Sequence, residues 1–353
     1  HVRSRRQRQM CIRDSSYSSW AHSGSSLAPQ ALEEGRDTND AERSDAAPSD
    51  AEVDSQLQTA EADAVAWERQ GPLAGFPRGT GPGEALHRIL ERLDYCRSPE
   101  EDDALALIRQ ELERAGLAED EAEPLAAGLE RLRHTPFGGG LGSFRLAQLV
   151  STHRLNEMNF DLPLAVPREP LSTAAADPPR VRAAALARCF REHPDGLFGR
   201  AYAAQLDGLD IASRGFLTGS IDLVFCHQER WWVLDWKSNW LGERDASGAP
   251  VACGPAHYGR RPMAELMATS HYPLQAHLYL VALHRYLRWR LPGYCPEQHL
   301  GGYAYVFLRG VPGATDAAEA LAAHGDTVPG MLVEQPPLQR LLALDDLLRE
   351  GQR

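Results

Sequence analysis

The chain has 353 residues and a formal net charge of −12, and 43% of its residues are hydrophobic, which is enough for a packed core. No stretch approaches the roughly 18 consecutive apolar residues of a membrane-spanning helix, and the first residues lack the apolar segment of a signal peptide. The six cysteines are widely spaced, which argues against a zinc site or a disulfide framework, so we expect a cytoplasmic protein with no membrane partner.

Of the 37 basic residues, 36 are Arg and only one, Lys237, is Lys. Arg cannot replace Lys where a compact ammonium group with a tunable pKa is needed. Composition therefore indicates that Lys237 has a functional role. The alternative is that it is one surface Lys retained by chance. The negative charge is local: residues 31–66 carry −9 and residues 99–131 carry −8, which leaves +5 for the rest. The total charge thus does not exclude an anionic ligand.

The start of the chain is unlike the remainder. We interpret residues 1–14 as a non-native segment, with a native basic arm as the alternative. Residues 15–75 are rich in Ser, Ala, Asp and Glu and poor in bulky apolar side chains, so we expect a disordered acidic linker there. Residues 76–353 then form the predicted globular domain.

Apolar periodicity predicts helices and strands through this domain. The predicted helices span 84–95, two acidic stretches within 101–133, and then 180–192, 199–206, 262–269, 273–290 and 337–349. The predicted strands span 154–164, 216–225, 231–237 and 302–309. The second and third strands are joined by residues 227–230, as in an antiparallel hairpin. Helices, a run of strands, and a returning strand predict an α/β sandwich around a mixed sheet.

Side chains alternate between the two faces of a strand, a rule called parity below, and this alternation predicts that certain charged side chains lie close together. Asp235 and Lys237 are two residues apart on one predicted strand and therefore face the same side, and Asp222 lies on the neighbouring strand. Charges on apolar strands are costly to bury unless they serve one another or a ligand. Two carboxylates offer the hard oxygen ligands that suit Mg²⁺.

The pattern D-x12-D-x-K looks like the core of the PD-(D/E)xK nuclease superfamily. The string GFLTGSIDLVFCHQERWWVLDWKSNWLG, and three others, resemble the C-terminal nuclease domain of the RecB family. The others are FPRGTGPGEALHRILERLDY, YPLQAHLYLVALHRYL and GGYAYVFLRG, and together the four span residues 76–310 in the family's order. The resemblance implies a restriction-endonuclease-like α/β core, a mixed sheet flanked by helices, and an N-terminal helical part.

The resemblance also implies roles for individual residues. His87, Asp222, Asp235 and the backbone carbonyl of Trp236 correspond to the family's metal ligands, and Lys237 to its catalytic lysine. Glu157 corresponds to a further acidic residue near the metal. Gln275 and Tyr279 correspond to a motif on the helix after the catalytic strand, where their i, i+4 spacing puts both on one face. The implied activity is Mg²⁺-dependent hydrolysis of DNA, with Mn²⁺ or Ca²⁺ able to replace Mg²⁺ in binding.

The chain has no GxxxxGK[ST] motif, so we do not expect it to unwind DNA by itself. The resemblance implies a fragment of an exodeoxyribonuclease V-type helicase–nuclease that acts on single- and double-stranded DNA ends in double-strand break repair and recombination, with RecC-like and RecD-like partners. One alternative is a catalytically silent DNA-binding or scaffold module. Another is an AddB-like nuclease subunit, although the cysteine spacing lacks the cluster pattern of that subunit.

Two further groups of residues have alternative interpretations. Trp231, Trp232, Trp236 and Trp240 form either a stacking platform for bases or part of the core, and we favour the core. Arg285, Arg288 and Arg290 either contact phosphates or form a solvated helix end.

Overall fold

The computed structural model describes residues 15–16, 20, 67–165, 179–313 and 327–351. Residues 1–14, which we interpret as non-native, lie outside the described residues, as does most of the predicted linker. Within the described part of the predicted linker, the side chains of Trp20 and Leu73 are buried. The folded part therefore extends beyond the predicted boundary at residue 76.

Helices lie in four regions of the described chain, within residues 80–134, 183–207, 260–299 and 338–350. They are α1 (Thr80–Arg92), α2 (Asp102–Arg114), α3 (Ala122–His134), α4 (Ala183–Glu192), α5 (Arg200–Asp207), α6 (Arg260–Thr269), α7 (Tyr272–Arg290), α8 (Pro296–His299) and α9 (Leu338–Glu350). The first begins four residues before its predicted start, because Pro82 falls in the first turn, where its missing N–H costs no hydrogen bond.

The strands form one large sheet and two small ones. They are β1 (Ser15–Ser16), β2 (Arg154–Leu164), β3 (Val181–Arg182), β4 (Ala212–Ser213), β5 (Gly215–His227), β6 (Arg230–Lys237), β7 (Glu243–Arg244), β8 (Pro250–Ala252), β9 (Leu300–Phe307) and β10 (Met331–Glu334). In the large sheet the order is β10–β9–β6–β5–β2, and the short β1 also pairs with β5. Only the β6–β9 and β1–β5 pairs are parallel, so the sheet is mixed, as predicted.

The predicted hairpin is confirmed. β5 and β6 pair in antiparallel register from His227 opposite Arg230 to Leu223 opposite Leu234. Gln228 and Glu229 form the turn, and both have positive φ angles, of 50° and 62°. A two-residue turn of this hand matches the twist of the flanking strands.

Helices cover both faces of the sheet. Apolar residues of α1, α2 and α3 form one hydrophobic cluster with one face of β5, β6 and β9. Those of α4, α5, α6, α7 and α9 form a second cluster on the opposite face. None of the helices in the described ranges has the length and apolarity needed to cross a membrane.

The central strand β6 is buried on both faces. Trp232, Leu234 and Trp236 point into the cluster of the N-terminal helices, whereas Val233 points into the cluster around α7. Because side chains alternate along a strand, Asp235 and Lys237 share the side of Val233. Two charged residues thus occupy positions at which a strand buried on both faces normally has apolar side chains.

A buried arginine ties the start of the domain to the end of β6. Arg309 donates hydrogen bonds to the carbonyls of Leu73, Phe76 and Pro77, each at 2.8 Å. Its Nε also donates to the carbonyl of Ser238 at 2.9 Å. One guanidinium therefore fixes the segment leading into α1 next to the residue that follows Lys237.

The buried His277 of α7 should make the free energy of unfolding depend on pH. Its Nδ1 donates to the carbonyl of Pro273 at 2.6 Å, and its Nε2 accepts from Arg340 at 3.4 Å, so the ring is held neutral. Burial, together with the charge of Arg340, lowers the pKa of His277 to about 3. The unfolded chain takes up a proton near pH 6.5 and the folded chain does not. The stability contributed by the neutral ring is therefore complete above pH 6.5 and is lost as the pH falls towards 3.

We predict that the free energy of unfolding falls more steeply with acid in the wild type than in His277→Gln. The difference in slope should be about 1.4 kcal/mol per pH unit below pH 6.5. Urea titrations of both proteins at several pH values measure it. Parallel slopes would contradict a neutral, buried His277.

Candidate metal and phosphoryl-transfer site

The site is built at the point where β5 and β6 separate. Their ladder ends at Leu223 and Leu234, and Asp222 is the next residue of β5. An oxygen of Asp222 accepts a hydrogen bond from the backbone N–H of Trp236 at 2.8 Å. The carboxylate thus bridges the fork between the strands, and it places the peptide of Trp236 at the site.

Glu157 faces Asp222 from the neighbouring strand. β2 and β5 pair at Asn156 with Leu223 and at Met158 with Ile221, which sets Glu157 opposite Asp222. Glu157 has a φ angle of 48°, a left-handed conformation that is uncommon for a residue with a side chain. Its carboxylate accepts a hydrogen bond from the hydroxyl of Ser220 at 2.9 Å. The ladder has no pair at Glu157 itself, although β2 continues through it, and the carboxylate lies close to that of Asp222 at the fork.

His87 completes a group of possible metal ligands. It lies on α1, and its Nδ1 is 3.4 Å from an oxygen of Asp222. One ligand atom from each of His87, Glu157 and Asp222 lies within 4.8 Å of the other two. Burial, followed by the negative charge of Asp222, raises the pKa of Glu157. A divalent cation held between these atoms would offset the repulsion between the two carboxylates.

Asp235 and Lys237, which flank Trp236 on β6, form a buried ion pair. The ammonium nitrogen of Lys237 is 2.8 Å from an oxygen of Asp235, and the two side chains are only 2% and 4% exposed. The same nitrogen lies 4.0 Å from the ring centroid of Tyr272 and 5.6 Å from that of Tyr305. The carboxylate and the two aromatic faces compensate for the lost hydration of the ammonium. Parity had predicted the shared face of Asp235 and Lys237.

Gln275 and Tyr279 lie on the buried side of α7. The hydroxyl of Tyr305 donates to the side-chain oxygen of Gln275 at 2.7 Å and to the carbonyl of Tyr272 at 3.2 Å. Gln275 therefore holds one of the rings that face Lys237. The ring of Tyr279 packs edge-on against Phe160 of β2, with centroids 5.9 Å apart.

Sequence reasoning missed Ser220, Tyr272 and Tyr305. Tyr305 stands beside Asp235 in the parallel β6–β9 register. That register joins segments about 70 residues apart, so no local pattern reveals it. A Lys on a buried apolar strand indicates that an opposite charge lies beside it, but it does not identify the aromatic rings that also contact it.

The tryptophan and arginine alternatives can now be compared with the structure. Trp232 and Trp236 are buried in the core, as favoured, whereas Trp231 and Trp240 are half-buried. The Nε of Arg285 donates to Asp345 of α9 at 2.5 Å, which makes this arginine a link between helices. Arg290, at the far end of α7, lies over the ring of the exposed Trp289.

A family model described as the PD-(D/E)XK nuclease superfamily matches residues 55–340. The chain is also similar to the RecBCD enzyme subunit RecB of several bacteria. It is 35% identical over 289 residues to that of Mycolicibacterium smegmatis, which covers 78% of this chain and 24% of the relative. With the Escherichia coli subunit it is 37% identical over 237 residues, covering 67% of this chain and 17% of the relative. The chain thus spans about a quarter or less of the length of these relatives.

The close approach of two carboxylates predicts opposite effects of Glu157→Gln with and without metal. Removing one negative charge should raise the melting temperature of the metal-free protein, because the repulsion from Asp222 is lost. It should also weaken Ca²⁺ binding by about tenfold or more, since a charged ligand is gone. Tenfold weaker binding lowers the stabilisation at excess Ca²⁺ by about 1.4 kcal/mol. Thermal melts with and without CaCl₂ measure both effects.

Asp161→Asn is the matched control, because it removes the same charge from an exposed position of the same strand. We expect it to leave the Ca²⁺ response unchanged. An equal response in Glu157→Gln and wild type would show that Glu157 takes no part in metal binding.

Proposed function

The chain belongs to the PD-(D/E)XK nuclease superfamily, and we propose that it is a Mg²⁺-dependent nuclease that hydrolyses DNA phosphodiesters. The observation that carries the proposal is the convergence of His87, Glu157 and Asp222 at a carboxylate that accepts a hydrogen bond from the amide of Trp236, the residue between the buried ion-pair partners Asp235 and Lys237. Cation-binding oxygens and an ammonium group at one strand fork are the parts that this chemistry needs.

The residues present fit a divalent metal. Two carboxylates and an imidazole already converge, and we propose that Asp235 and the carbonyl of Trp236 add further oxygen ligands. A predominantly oxygen set favours Mg²⁺, with Mn²⁺ or Ca²⁺ able to replace it in binding. When bound, such an ion acidifies a coordinated water and neutralises charge on the phosphate.

The proposed role of Lys237 is to orient the attacking water or, as the neutral amine, to deprotonate it, and as the ammonium to stabilise charge on the phosphorane. Asp235 holds the ammonium in place from 2.8 Å, and the rings of Tyr272 and Tyr305 exclude water around it. Arg would serve poorly, because its pKa above about 12 prevents it from losing a proton. We propose that Gln275 and Tyr279 support this geometry from α7.

The names of the relatives suggest the setting. They are described as subunits of the RecBCD enzyme, and we propose that this chain is the nuclease part of a comparable exodeoxyribonuclease V-type helicase–nuclease. Its partners would be RecC-like and RecD-like subunits and single- and double-stranded DNA ends. It would act in the cytoplasm, in double-strand break repair and recombination.

Replacing Lys237 tests the mechanism. We expect Lys237→Met to lower the single-turnover rate of cleavage of labelled DNA in MgCl₂ by at least about 100-fold, because the proton-transfer group is lost. Lys237→Arg should fail similarly, since the guanidinium cannot be deprotonated. Both variants should keep the Ca²⁺-induced rise in melting temperature.

Arg188→Met, which removes an exposed cation from α4, is the control and should cleave like wild type. Wild-type rates in either Lys237 variant would refute the role of this side chain. A wild-type protein with neither cleavage nor a Ca²⁺ response would instead be a silent scaffold module.

A further inference from the structure

Two exposed arginines are held over one tryptophan ring close to the end of β6. The guanidinium carbon of Arg78, which precedes α1, lies 5.1 Å from the ring centroid of Trp240, and that of Arg244 lies 4.8 Å from it. The indole itself rests on the backbone of Gly242, where a Cβ atom would come within 2.6 Å of the ring. Arg78, Trp240 and Arg244 are called the arginine–tryptophan cluster below.

The fold fixes this cluster next to the proposed catalytic strand. Arg309 bonds both to the carbonyl of Pro77, adjacent to Arg78, and to that of Ser238, adjacent to Lys237. Trp240 is three residues after Lys237 in the chain, which limits their Cα atoms to a separation of about 11 Å. The hydrogen bonds of the buried Arg309 thus hold the segment that carries Arg78 next to the end of β6 before any ligand binds.

The cluster has a surplus of positive charge. In the part of the chain that the structure describes, no carboxylate forms an ion pair with Arg78 or Arg244. The acids beside Arg244 are occupied elsewhere. Glu243 binds Arg69 and His257, and Asp245 accepts hydrogen bonds from Ser247 and from the backbone N–H of Ala249. Arg244 donates one hydrogen bond to the carbonyl of Gly248 at 2.8 Å, so both guanidiniums keep their positive charge without a carboxylate partner in a chain whose net charge is −12.

We propose that the arginine–tryptophan cluster binds the phosphate backbone of a single DNA strand beside the scissile position. The inference rests on the proposed nuclease function for the identity of its ligand. The paired N–H groups of a guanidinium can donate two parallel hydrogen bonds to one phosphate. The indole ring of Trp240 stacks against both guanidiniums and so keeps them oriented for phosphate binding. Contacts of this kind position the strand without reading its sequence. The cluster is thus a positioning site, distinct from the metal cluster and from Lys237.

The salt dependence of binding tests the proposal. The 353-residue chain is titrated with a fluorescent single strand of about 20 nucleotides, in CaCl₂, between roughly 50 and 200 mM NaCl. In Arg78→Ala/Arg244→Ala the plot of log K against log salt should be less steep by about 1.4, because each lost contact to a single strand removes about 0.7. Arg78→Lys/Arg244→Lys should keep the wild-type slope, since it keeps both charges.

Arg290→Ala is the matched control, because Arg290 also lies over a tryptophan ring, at 5.1 Å from its centroid. It ends the 19-residue helix whose first residue faces Lys237, which places it roughly 27 Å away. Its slope should equal that of wild type. An unchanged slope in the double alanine variant of a chain that cleaves DNA would overturn the cluster's role alone. Absence of cleavage by the wild type in MgCl₂ would instead contradict the proposed function.

Discussion

The hydrogen bond from the Trp236 amide to the Asp222 carboxylate is the contact on which the site depends. At this point the β5–β6 ladder ends, and a side chain takes the place of the next backbone partner. A buried amide left without an acceptor would cost roughly 1–3 kcal/mol. The bond therefore stabilises the fork and at the same time fixes a carboxylate where the strands part. His87 from α1 and Glu157 from β2 converge on the oxygen atoms so placed.

The second constraint is the buried charge on β6. Lys237 and Asp235 occupy buried positions of a central strand on which residues 231–234 and Trp236 are apolar, and each compensates for the burial of the other. A buried ion pair of this kind is weak evidence for stability, which is consistent with a functional reason for its presence. Tyr272 and Tyr305 surround the ammonium with ring faces. A flat, forked guanidinium has a different shape and hydrogen-bonding pattern, which accounts for one Lys in a chain that otherwise uses Arg.

Local periodicity predicted the long elements well. The alternation of β2 (residues 154–164) and the apolar run of α7 (residues 272–290) were strong signals, and both elements lie within a residue of their predicted bounds. The four-residue β10 was missed, because Met331–Glu334 is too short to show a period. The positive φ of Glu157 has no sequence signal, since the neighbouring residues Asn156 and Met158 both pair within an ordinary antiparallel ladder.

The candidate site was predicted by a mixture of parity and resemblance. Parity placed Asp235 and Lys237 on one face, which the structure confirms. Strand reasoning also placed Asp222 on the neighbouring strand, and the other residues came from resemblance to the RecB family; the catalytic roles of all of them stay predictions. Neither parity nor resemblance could predict the contacts between segments that are distant in the chain. These contacts are the aromatic rings around Lys237 and the hydrogen bonds from Arg309 to the carbonyls of Pro77 and Ser238.

The central claim is that the strand fork gathers a divalent metal next to Lys237. The most direct measurement is anomalous diffraction from crystals of the chain soaked in MnCl₂. We predict a single strong peak about 2 Å from an oxygen of Asp222 and from a ring nitrogen of His87, on the side of the fork that faces Lys237. A strong peak elsewhere, or ordered side chains at the fork with no peak between them, would contradict the account.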